Sequence, residues 1–349
     1  MKDILHLFLG TYIAGKNEGI RLYQFDPLTG SSQLIGITKI ENSSYFVFSE
    51  DRKYLYVISE NEESTSYINA FSHNPDKEKL ELLSRLPSGD EGPCYITIDK
   101  NSKHILTANY GGGSISVFDI DDEGKIEEPT QTIHFKGKSV NPKRQTRSHI
   151  HCITFSNDDK YIFVTDLGTD KIYRFELNYS GRNNFVIDNS LKVFDVPKGS
   201  GPRHIVFHPS GKYLYLINEL SGSVISFTYE KGNIHSFQEI QADMLHAGGS
   251  ADIVITPDGL YLYASVRIEG DGVAIFSIDP LSGRLKKLGY QYTAKHPRNL
   301  RITPDGKFLL VACKDGNLIE IYEINPDAGL LKNAHQDIKI EKPACLRFI

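Results

Sequence analysis

One pattern of apolar and polar positions recurs along the chain. An apolar, strand-like run is followed by a turn rich in Pro, Asp, Gly and Lys, and then by a second apolar run, as in IVFHPSGKYLYLINE (205–219). A third strand follows each pair, and often a fourth, more polar one. Four strands in about 50 residues predict one blade of an all-β propeller. The turn positions are Lys53, Lys103, Lys160, Lys212, Leu260 and Lys307.

Six units are complete, and a seventh is divided between the two ends of the chain. Residues 7–40 contain three strands with no first strand before them, whereas residues 344–349 (ACLRFI) match a first strand and then stop. Pairing these segments gives a seven-bladed β-propeller with four antiparallel strands per blade and a closed ring, which leaves no exposed sheet edge. We therefore expect residues 1–349 to form a single β-propeller domain.

Composition narrows the function classes. The chain has 349 residues and a formal net charge of −5, so neither nucleic acid nor a membrane surface is an expected partner. Trp is absent although there are 19 Tyr and 18 Phe, which argues against WD40 and other Trp-signed repeats. There is no apolar run of membrane-spanning length and no signal-peptide pattern. A cytoplasmic protein is therefore expected.

The cysteines support the same compartment. None belongs to a CxxC motif, and all four fall in apolar, strand-like segments. We expect buried, reduced thiols rather than disulfides or a zinc site. These residues are Cys94, Cys152, Cys313 and Cys345.

The hairpin geometry of the repeat predicts where polar side chains meet. Residues at equal distance from an antiparallel turn are cross-strand neighbours. Arg203 lies eight residues before Gly211 and Glu219 lies eight residues after it, so the two should meet at one end of their blade. The opposite end carries the repeated turns, which we interpret as structural. The other polar candidates at the first end are Asn109, Tyr110, His149, His151, Asp166, Arg267 and Arg298.

Each candidate also has a structural interpretation. Glu219 can be a surface carboxylate paired with a neighbouring arginine, and Arg203 can link blades through backbone carbonyls. His149 and His151 alternate on a strand, so at most one is expected to face the channel and the other to pack. A His-x-His pair with a Glu can bind zinc, but the third ligand would be on another blade, so no metal is predicted.

A basic segment, KGKSVNPKRQTR (136–147), contains five Lys or Arg residues and ends at Arg147. It can be a solvated loop or a lid that brings positive charge to an anionic substrate. Asp166 and Asp170 are interpreted as turn caps. The ANYGGGS segment lacks the Lys of a P-loop and does not begin a helix, so it is interpreted as a connecting turn.

Several segments together carry a family resemblance. They are TANYGGGSISVFDID, NPKRQTRSHIHCITFSNDDKYIFVTDLGTDKIYRFEL, GPRHIVFHPSGKYLYLINEL and HPRNLRITPDGKFLLVA. The chain resembles, over essentially its whole length, the seven-bladed β-propeller lactonase family. That family includes one type of 6-phosphogluconolactonase and, more distantly, the fungal carboxymuconate-lactonizing enzyme.

The resemblance implies catalytic residues at three places. Glu219 lies in INEL and Arg203 in GPRH. The SHIH segment supplies a histidine, which is His149 or His151.

It also implies residues that bind the substrate. The second family arginine corresponds to Arg267, although the usual SNR is SVR here. Arg298 in HPRN is the reserve candidate, and His296 stands where the family often has Trp. The remaining expected substrate contacts are Asn109, Tyr110 and Arg147.

The expected function is hydrolysis of an anionic sugar lactone, 6-phosphoglucono-1,5-lactone, to 6-phosphogluconate in the pentose phosphate pathway. Glu219 or a histidine would be the base, and arginines would hold the substrate and the developing oxyanion. No cofactor or metal is expected, because a lactone is already an activated ester. A muconate-type lactonizing or isomerising enzyme and a non-enzymatic propeller scaffold are the alternatives. The sequence does not predict the oligomeric state.

Overall fold

A computed structural model describes residues 4–13, 19–61, 65–74, 79–180 and 184–349. Across these ranges the regular secondary structure is entirely β, with no helix that could cross a membrane. The described strands form seven antiparallel sheets, six with four strands and one with five. The all-β class and the four-stranded units predicted from the repeat are therefore confirmed.

The sheets follow the repeat closely, and we number them as blades in chain order. The first four blades contain β1 (Leu5–Thr11), β2 (Gly19–Phe25) and β3 (Ser32–Lys39); β4 (Ser43–Phe48), β5 (Tyr54–Ser59), β6 (Tyr67–Ser72) and β7 (Glu81–Pro87); β8 (Pro93–Ile98), β9 (His104–Asn109), β10 (Ser114–Ile120) and β11 (Ile126–His134); and β12 (Ile150–Phe155), β13 (Tyr161–Asp166), β14 (Lys171–Leu177) and β15 (Val186–Asp195).

The remaining strands complete blades 5 to 7 and blade 1. They are β16 (Pro202–Phe207), β17 (Tyr213–Asn218), β18 (Ser223–Glu230) and β19 (Asn233–Gln241); β20 (Ile253–Ile255), β21 (Tyr261–Val266), β22 (Gly272–Ile278) and β23 (Leu285–Tyr292); β24 (Pro297–Ile302), β25 (Phe308–Cys313), β26 (Leu318–Ile324), β27 (Leu331–Asn333) and β28 (Ile338–Lys339); and β29 (Pro343–Phe348).

The blades fall into two compact units. The first unit includes Ile20–Ile37 and Arg203–Ile349 together with the N-terminal strand, and so contains blades 1, 5, 6 and 7. The second unit includes Thr38–Pro202 and contains blades 2, 3 and 4. The single domain expected over residues 1–349 stays a prediction.

The two ends of the chain form one blade. Strand β29 pairs with β1 in antiparallel register, with Leu9 opposite Leu346, and the sheet order is β29-β1-β2-β3. Leu346 is fully buried and packs in a cluster with Phe25 of the same blade and Phe308 of the adjoining blade 7. The prediction that residues 344–349 complete the split unit is therefore confirmed.

Tyrosines connect neighbouring blades. Three buried tyrosines of second strands, Tyr56, Tyr215 and Tyr263, donate their hydroxyls to backbone carbonyls in the next blade. The acceptor residues are Gly124, Gly283 and Gly329, which have positive φ angles of 81°, 67° and 67°. Only glycine adopts that conformation without strain, which explains the Gly-bearing turns of the repeat. In this protein without Trp, tyrosine rings thus pack between neighbouring blades, and their hydroxyls hydrogen-bond to the next blade.

The repeated turns are structural, as predicted. In blade 7 the Thr303 hydroxyl donates to Asp305 at 2.6 Å and accepts the backbone N–H of Phe308 at 3.0 Å. The same bonds recur from Thr256 in blade 6 and from Ser156 in blade 4. These side chains satisfy the polar groups of the turn itself.

Candidate active site

The repeat provides two equivalent side-chain positions at one end of a blade, the first in six of the seven blades and the second in all seven. The first is the second residue of the first strand. In five blades a β-bulge falls on this residue, so that it has no cross-strand partner; these residues are Ser44, Cys94, His151, Arg298 and Ala344. A bulge changes the direction in which a side chain points. We call this the bulge position; Arg203 is the equivalent residue of β16.

The second position follows the second strand immediately, and we call it the exit position. In five blades its backbone N–H donates to a carbonyl just before or at the start of the first strand, at 2.8–3.1 Å, which fixes it beside the bulge. The seven exit residues are Tyr12, Glu60, Tyr110, Leu167, Glu219, Arg267 and Lys314.

Arg203 and Glu219 are the bulge and exit residues of blade 5, and they meet as the hairpin spacing predicts. Arg203 Nε donates to Glu219 Oε2 at 3.0 Å, and both side chains are buried. The same guanidinium also donates to the backbone carbonyl of Ala251 in blade 6. The Arg203 side chain therefore makes both the ion pair with Glu219 and a link from blade 5 to blade 6.

Arg267, the exit residue of blade 6, binds the same carboxylate oxygen. Its Nη2 lies 3.2 Å from Glu219 Oε2, and its guanidinium also donates to the carbonyls of Gly249 and Ser250. Burial lowers the pKa of Arg267 to about 9, although Glu219 favours the charged form. Two buried guanidinium groups thus share one carboxylate. The change from SNR to SVR leaves Arg267 within this cluster.

His204 and Asp252 orient Arg203, a pair that the sequence reasoning missed. His204 Nδ1 donates to Asp252 at 2.8 Å, which leaves Nε2 as an acceptor 3.2 Å from Arg203 Nη1. Burial lowers the pKa of His204 to about 4, so the ring is neutral at pH 7. Asn299 binds the other Asp252 oxygen at 2.6 Å. The partners come from blades 5, 6 and 7, so hairpin spacing could not identify them.

His296 orients Arg267 in the same way as His204 orients Arg203. Its Nδ1 donates to Asp315 at 2.7 Å, and its Nε2 lies 3.2 Å from Arg267 Nη1. Burial, and then the charge of Arg267, lower the pKa of His296 to about 4. The backbone N–H of His296 donates to Asp271 at 2.7 Å. The residue that replaces the frequent family Trp therefore holds a predicted site arginine.

Arg298 lies beside this cluster. It is the bulge residue of blade 7, and its guanidinium stacks over the ring of Tyr12, 4.8 Å from the centroid, while donating to the Tyr12 hydroxyl. Lys314, the exit residue of the same blade, has its Nζ 5.7 Å from the same ring centroid. Tyr12 and Lys314 were not predicted; alignment of the exit positions would have identified both.

In the second unit, the two histidines of SHIH lie against one tyrosine. The ring of His149 stacks on Tyr110 at 4.4 Å, and that of His151 meets Tyr110 edge-on at 5.7 Å. Strand β12 begins only at Ile150, and the bulge falls on His151, so the strict alternation expected for this pair does not hold. His149 Nδ1 donates to the Tyr110 carbonyl at 2.9 Å, and burial lowers its pKa.

The other predicted residues of this unit lie close by. Asn109 is fully buried, and its amide donates to the hydroxyls of Ser114 and Ser116 at 3.0 and 2.9 Å. Arg147 is exposed, whereas Arg144 donates to the Tyr110 hydroxyl at 3.2 Å. Substrate contacts by Asn109, Tyr110 and Arg147 stay predictions.

The basic segment 136–147 is anchored rather than freely solvated. Buried Gln145 donates to the Leu167 carbonyl at 2.9 Å and to Asp170 at 2.8 Å, and Asp170 also accepts the hydroxyl of Ser139. Asp166 accepts the backbone N–H groups of His149 and Gly168. Asp166 therefore caps its turn, whereas Asp170 holds the basic segment and accepts the backbone N–H groups of Gly199 and Gly201 in the loop before β16.

A large cavity of about 940 Å³ lies in the second unit, at the exit residues Glu60 and Tyr110. Its lining also includes Asp90 and Glu91. Three carboxylates make it a poor site for an anion, whereas the guanidinium pair of the first unit carries the opposite charge. Among the described residues, no group of His, Cys, Asp and Glu is arranged to hold a metal ion.

Comparison with known proteins gives one consistent result. The family described as "Lactonase, 7-bladed beta-propeller" matches residues 6–348. A 6-phosphogluconolactonase of Formosa agariphila is 36% identical over 98% of this chain and 99% of its own length.

Solved structures agree with this match. A Bacteroides fragilis structure provisionally assigned as a 6-phosphogluconolactonase is 43% identical, with a TM-score of 0.93 over 99% of this chain and 98% of its own. The periplasmic gluconolactonase of Pseudomonas aeruginosa is 26% identical, with a TM-score of 0.92 over 99% of both chains.

Proposed function

Because the chain belongs to the family of seven-bladed β-propeller lactonases, we propose that it hydrolyses 6-phosphoglucono-1,5-lactone to 6-phosphogluconate. The substrate comes from the names of the relatives, and the chemistry is supported by the first unit of this chain. A lactonase needs a general base for water and cations for the oxyanion that forms at the carbonyl. No chemical step of this hydrolysis requires a cofactor.

The observation that carries the proposal is the pair of guanidinium groups on one buried carboxylate. Arg203 and Arg267 both lie within 3.2 Å of Glu219 Oε2, and all three side chains are at least nine-tenths buried. Such burial of three charges is costly unless each is paired and hydrogen-bonded. These three side chains together carry one net positive charge, which the buried Asp252 carboxylate behind His204 partly offsets. The two guanidinium groups are the part of the cluster that favours an anionic group beside it.

The reaction follows from these residues in two steps. Water attacks the lactone carbonyl while Glu219 accepts its proton, and the arginines stabilise the negative charge on the carbonyl oxygen. The tetrahedral intermediate then collapses and breaks the bond to the ring oxygen. That oxygen takes back the proton held by Glu219 and leaves as the sugar hydroxyl. The new carboxylic acid releases its own proton to solvent and becomes the carboxylate of the product. His204 and His296 hold the two guanidinium groups in position through their Nε2 atoms.

Substitution of the cluster tests this proposal. We expect Glu219→Gln and Arg203→Ala each to lower kcat/KM for the lactone by about 10²-fold or more, because each removes an interaction made with the transition state. The ion pair Arg174–Glu176 (3.0 Å) on the outer part of blade 4 supplies matched controls. Arg174→Ala and Glu176→Gln should retain wild-type kcat/KM.

The assay is a continuous measurement of acid release, with the spontaneous hydrolysis in buffer subtracted. Wild-type protein that gives no acceleration over buffer on the phosphorylated lactone and several other lactones would overturn the proposal. Lactonization of a muconate by the same protein would then favour the alternative activity. His149→Asn and His151→Asn, assayed in parallel, decide which histidine of the SHIH segment contributes.

We also propose a cytoplasmic location. All four cysteines are free, and all are buried, which suits a reducing compartment. Fractionation of cells that express the native chain should recover the lactonase with cytosolic markers. Recovery in the periplasm or the medium would contradict this.

A further inference from the structure

The connection between the second and third strands of blade 6 differs from its counterparts in four other blades. In blades 3, 4, 5 and 7 this connection has four residues, and the last of them has a positive φ angle between 56° and 71°. Those last residues are Gly113, Asp170, Gly222 and Asn317. Gly, Asn and Asp are the residue types that adopt this left-handed conformation most readily. In blade 6 the connection runs over residues 267–271 and is one residue longer.

The positive φ angles of this longer connection come directly after the exit residue, Arg267. Ile268, Glu269 and Gly270 have φ angles of 60°, 42° and 98°. Glycine adopts such angles freely, but for a β-branched residue the left-handed region is a genuine outlier. Ile268 is also 54% exposed, so burial of its side chain does little to offset the strain. Strain of this kind persists only where surrounding contacts fix it, and it is concentrated at functional sites.

The Ile268 side chain covers a peptide group that binds Arg267. A methyl group placed on the Cα of Gly249 would lie 2.7 Å from Ile268 Cδ1 and 2.9 Å from its Cγ1, so this side chain lies directly over Gly249. The Gly249 carbonyl accepts Arg267 Nε, and the Gly249 N–H donates to the backbone carbonyl of Glu219 at 2.6 Å. One apolar side chain thus covers the residue that is hydrogen-bonded to both members of the Arg267–Glu219 ion pair. Excluding water from such hydrogen bonds strengthens them.

The rest of the connection holds another neighbour of Arg267. The Asp271 carboxylate accepts the backbone N–H of His296 at 2.7 Å, and His296 Nε2 lies 3.2 Å from Arg267 Nη1. The carbonyl of Gly270 accepts the hydroxyl of Tyr290 in β23. These hydrogen bonds fix both sides of the connection, and they supply the surrounding contacts that a strained backbone requires.

We propose that Ile268 is a positioning residue for Arg267, whose guanidinium it fixes against Glu219 through Gly249. This inference rests on the proposed function, in which that guanidinium stabilises the oxyanion. A relaxed backbone at Ile268 would carry its side chain away from Gly249, and water would then compete for the carbonyl that accepts Arg267 Nε. The guanidinium would lose its fixed direction, on which stabilisation of the oxyanion depends.

Substitution of Ile268 should separate stability from activity. Ile268→Gly and Ile268→Asn introduce residues that tolerate the left-handed conformation, but both remove the apolar cover from Gly249. We expect a melting temperature equal to or above that of the wild type. The kcat for 6-phosphoglucono-1,5-lactone should fall about tenfold, with KM changed by less than about twofold, because the lost interaction belongs to the transition state.

Two further variants make the comparison specific. Ile268→Leu keeps an apolar side chain long enough to reach Gly249, and it should retain about half or more of the wild-type kcat. Leu281→Asn is the matched control, because Leu281 is an exposed apolar residue in the turn between β22 and β23, at the other end of the same blade. It should leave kcat unchanged.

Hydrogen–deuterium exchange of the Gly249 amide tests the contact without turnover. In Ile268→Gly this amide should exchange about tenfold or more faster than in the wild type, whereas the amides of β21 should keep their wild-type rates. A wild-type kcat in both Ile268→Gly and Ile268→Asn, or an unchanged exchange rate at Gly249, would overturn the proposal.

The remaining outcomes are also decisive. A melting temperature that falls together with kcat in both variants would show that Ile268 has a purely structural role, and it would overturn the proposal. A loss of kcat in Ile268→Leu as large as that in Ile268→Gly would do the same. If wild-type protein hydrolyses no lactone, the hydrolytic proposal fails, and the exchange rate still decides whether Ile268 holds Gly249 in place.

Discussion

Each buried charge of the proposed site has a specific neighbour that fixes its orientation. Glu219 orients two arginines, His204 orients Arg203, and His296 orients Arg267. The sequence predicted the Arg203–Glu219 contact because both residues belong to one hairpin. It did not predict His204–Asp252, because those partners come from different blades and their proximity depends on packing between blades.

The two orienting histidines make stability depend on pH. Burial lowers the pKa of His204 and of His296 to about 4, whereas an unfolded histidine titrates near 6.5. Between these values the unfolded chain binds protons that the folded chain does not. The free energy of unfolding should therefore fall as pH is lowered from 6.5 towards 4, by about 1.4 kcal/mol per pH unit for each histidine.

Urea denaturation at pH 7.5, 6.5, 5.5 and 4.5 measures this slope. His204→Gln and His296→Gln should each give a shallower decline below pH 6.5 than the wild type. His235→Gln changes an exposed histidine of β19 and should keep the wild-type slope. A wild-type stability that is constant across this pH range would contradict the interpretation.

At the scale of elements, the hairpin repeat supplies both the fold and the places for function. In the turns at one end, the Ser, Thr and Asp side chains form hydrogen bonds within the turn itself. The bulge and exit positions at the other end vary from blade to blade, from Ser44 and Glu60 to Arg203 and Glu219. Period-two alternation could predict the strands but not the bulge at His151, so it could not predict that the rings of His149 and His151 both contact Tyr110. Which of the two faces the channel stays a prediction.

The strand β29 is the element whose loss should matter most. Deleting residues 344–349 removes one strand of blade 1, including Leu346, and exposes the edge of β1 and the core around Phe25 and Phe308. We expect loss of the cooperative thermal transition, or a melting temperature lower by at least 10 °C. For a chain of 349 residues, a shift of 10 °C corresponds to about 7 kcal/mol. A loss of that size is expected because the deletion removes several buried side chains at once, and one large buried side chain is worth about 2–5 kcal/mol.

A pair of point variants provides a graded version of this test. Leu346→Ala removes a fully buried side chain and should cost about 2–5 kcal/mol, whereas Arg347→Ala on the partly exposed face of the same strand should cost clearly less. A truncated protein with the same melting temperature as the wild type would show that strand β29 contributes little to the stability of the fold.

At the scale of the whole molecule, the sequence repeat was sufficient to predict seven four-stranded blades, because strand spacing and turn chemistry are local properties. The net charge of −5 was less informative, since it concealed a cluster in which two buried arginines, Arg203 and Arg267, share the carboxylate of Glu219. Whole-chain charge averages over the surface, whereas ligand choice depends on the few charges that are buried together.

The central claim is that the buried arginine–glutamate cluster binds the lactone. A crystal structure with 6-phosphogluconate tests it most directly. We predict that the product carboxylate lies within hydrogen-bonding distance of Arg203 or Arg267. Product bound only elsewhere, for example in the cavity lined by Glu60 and Asp90, would contradict the account.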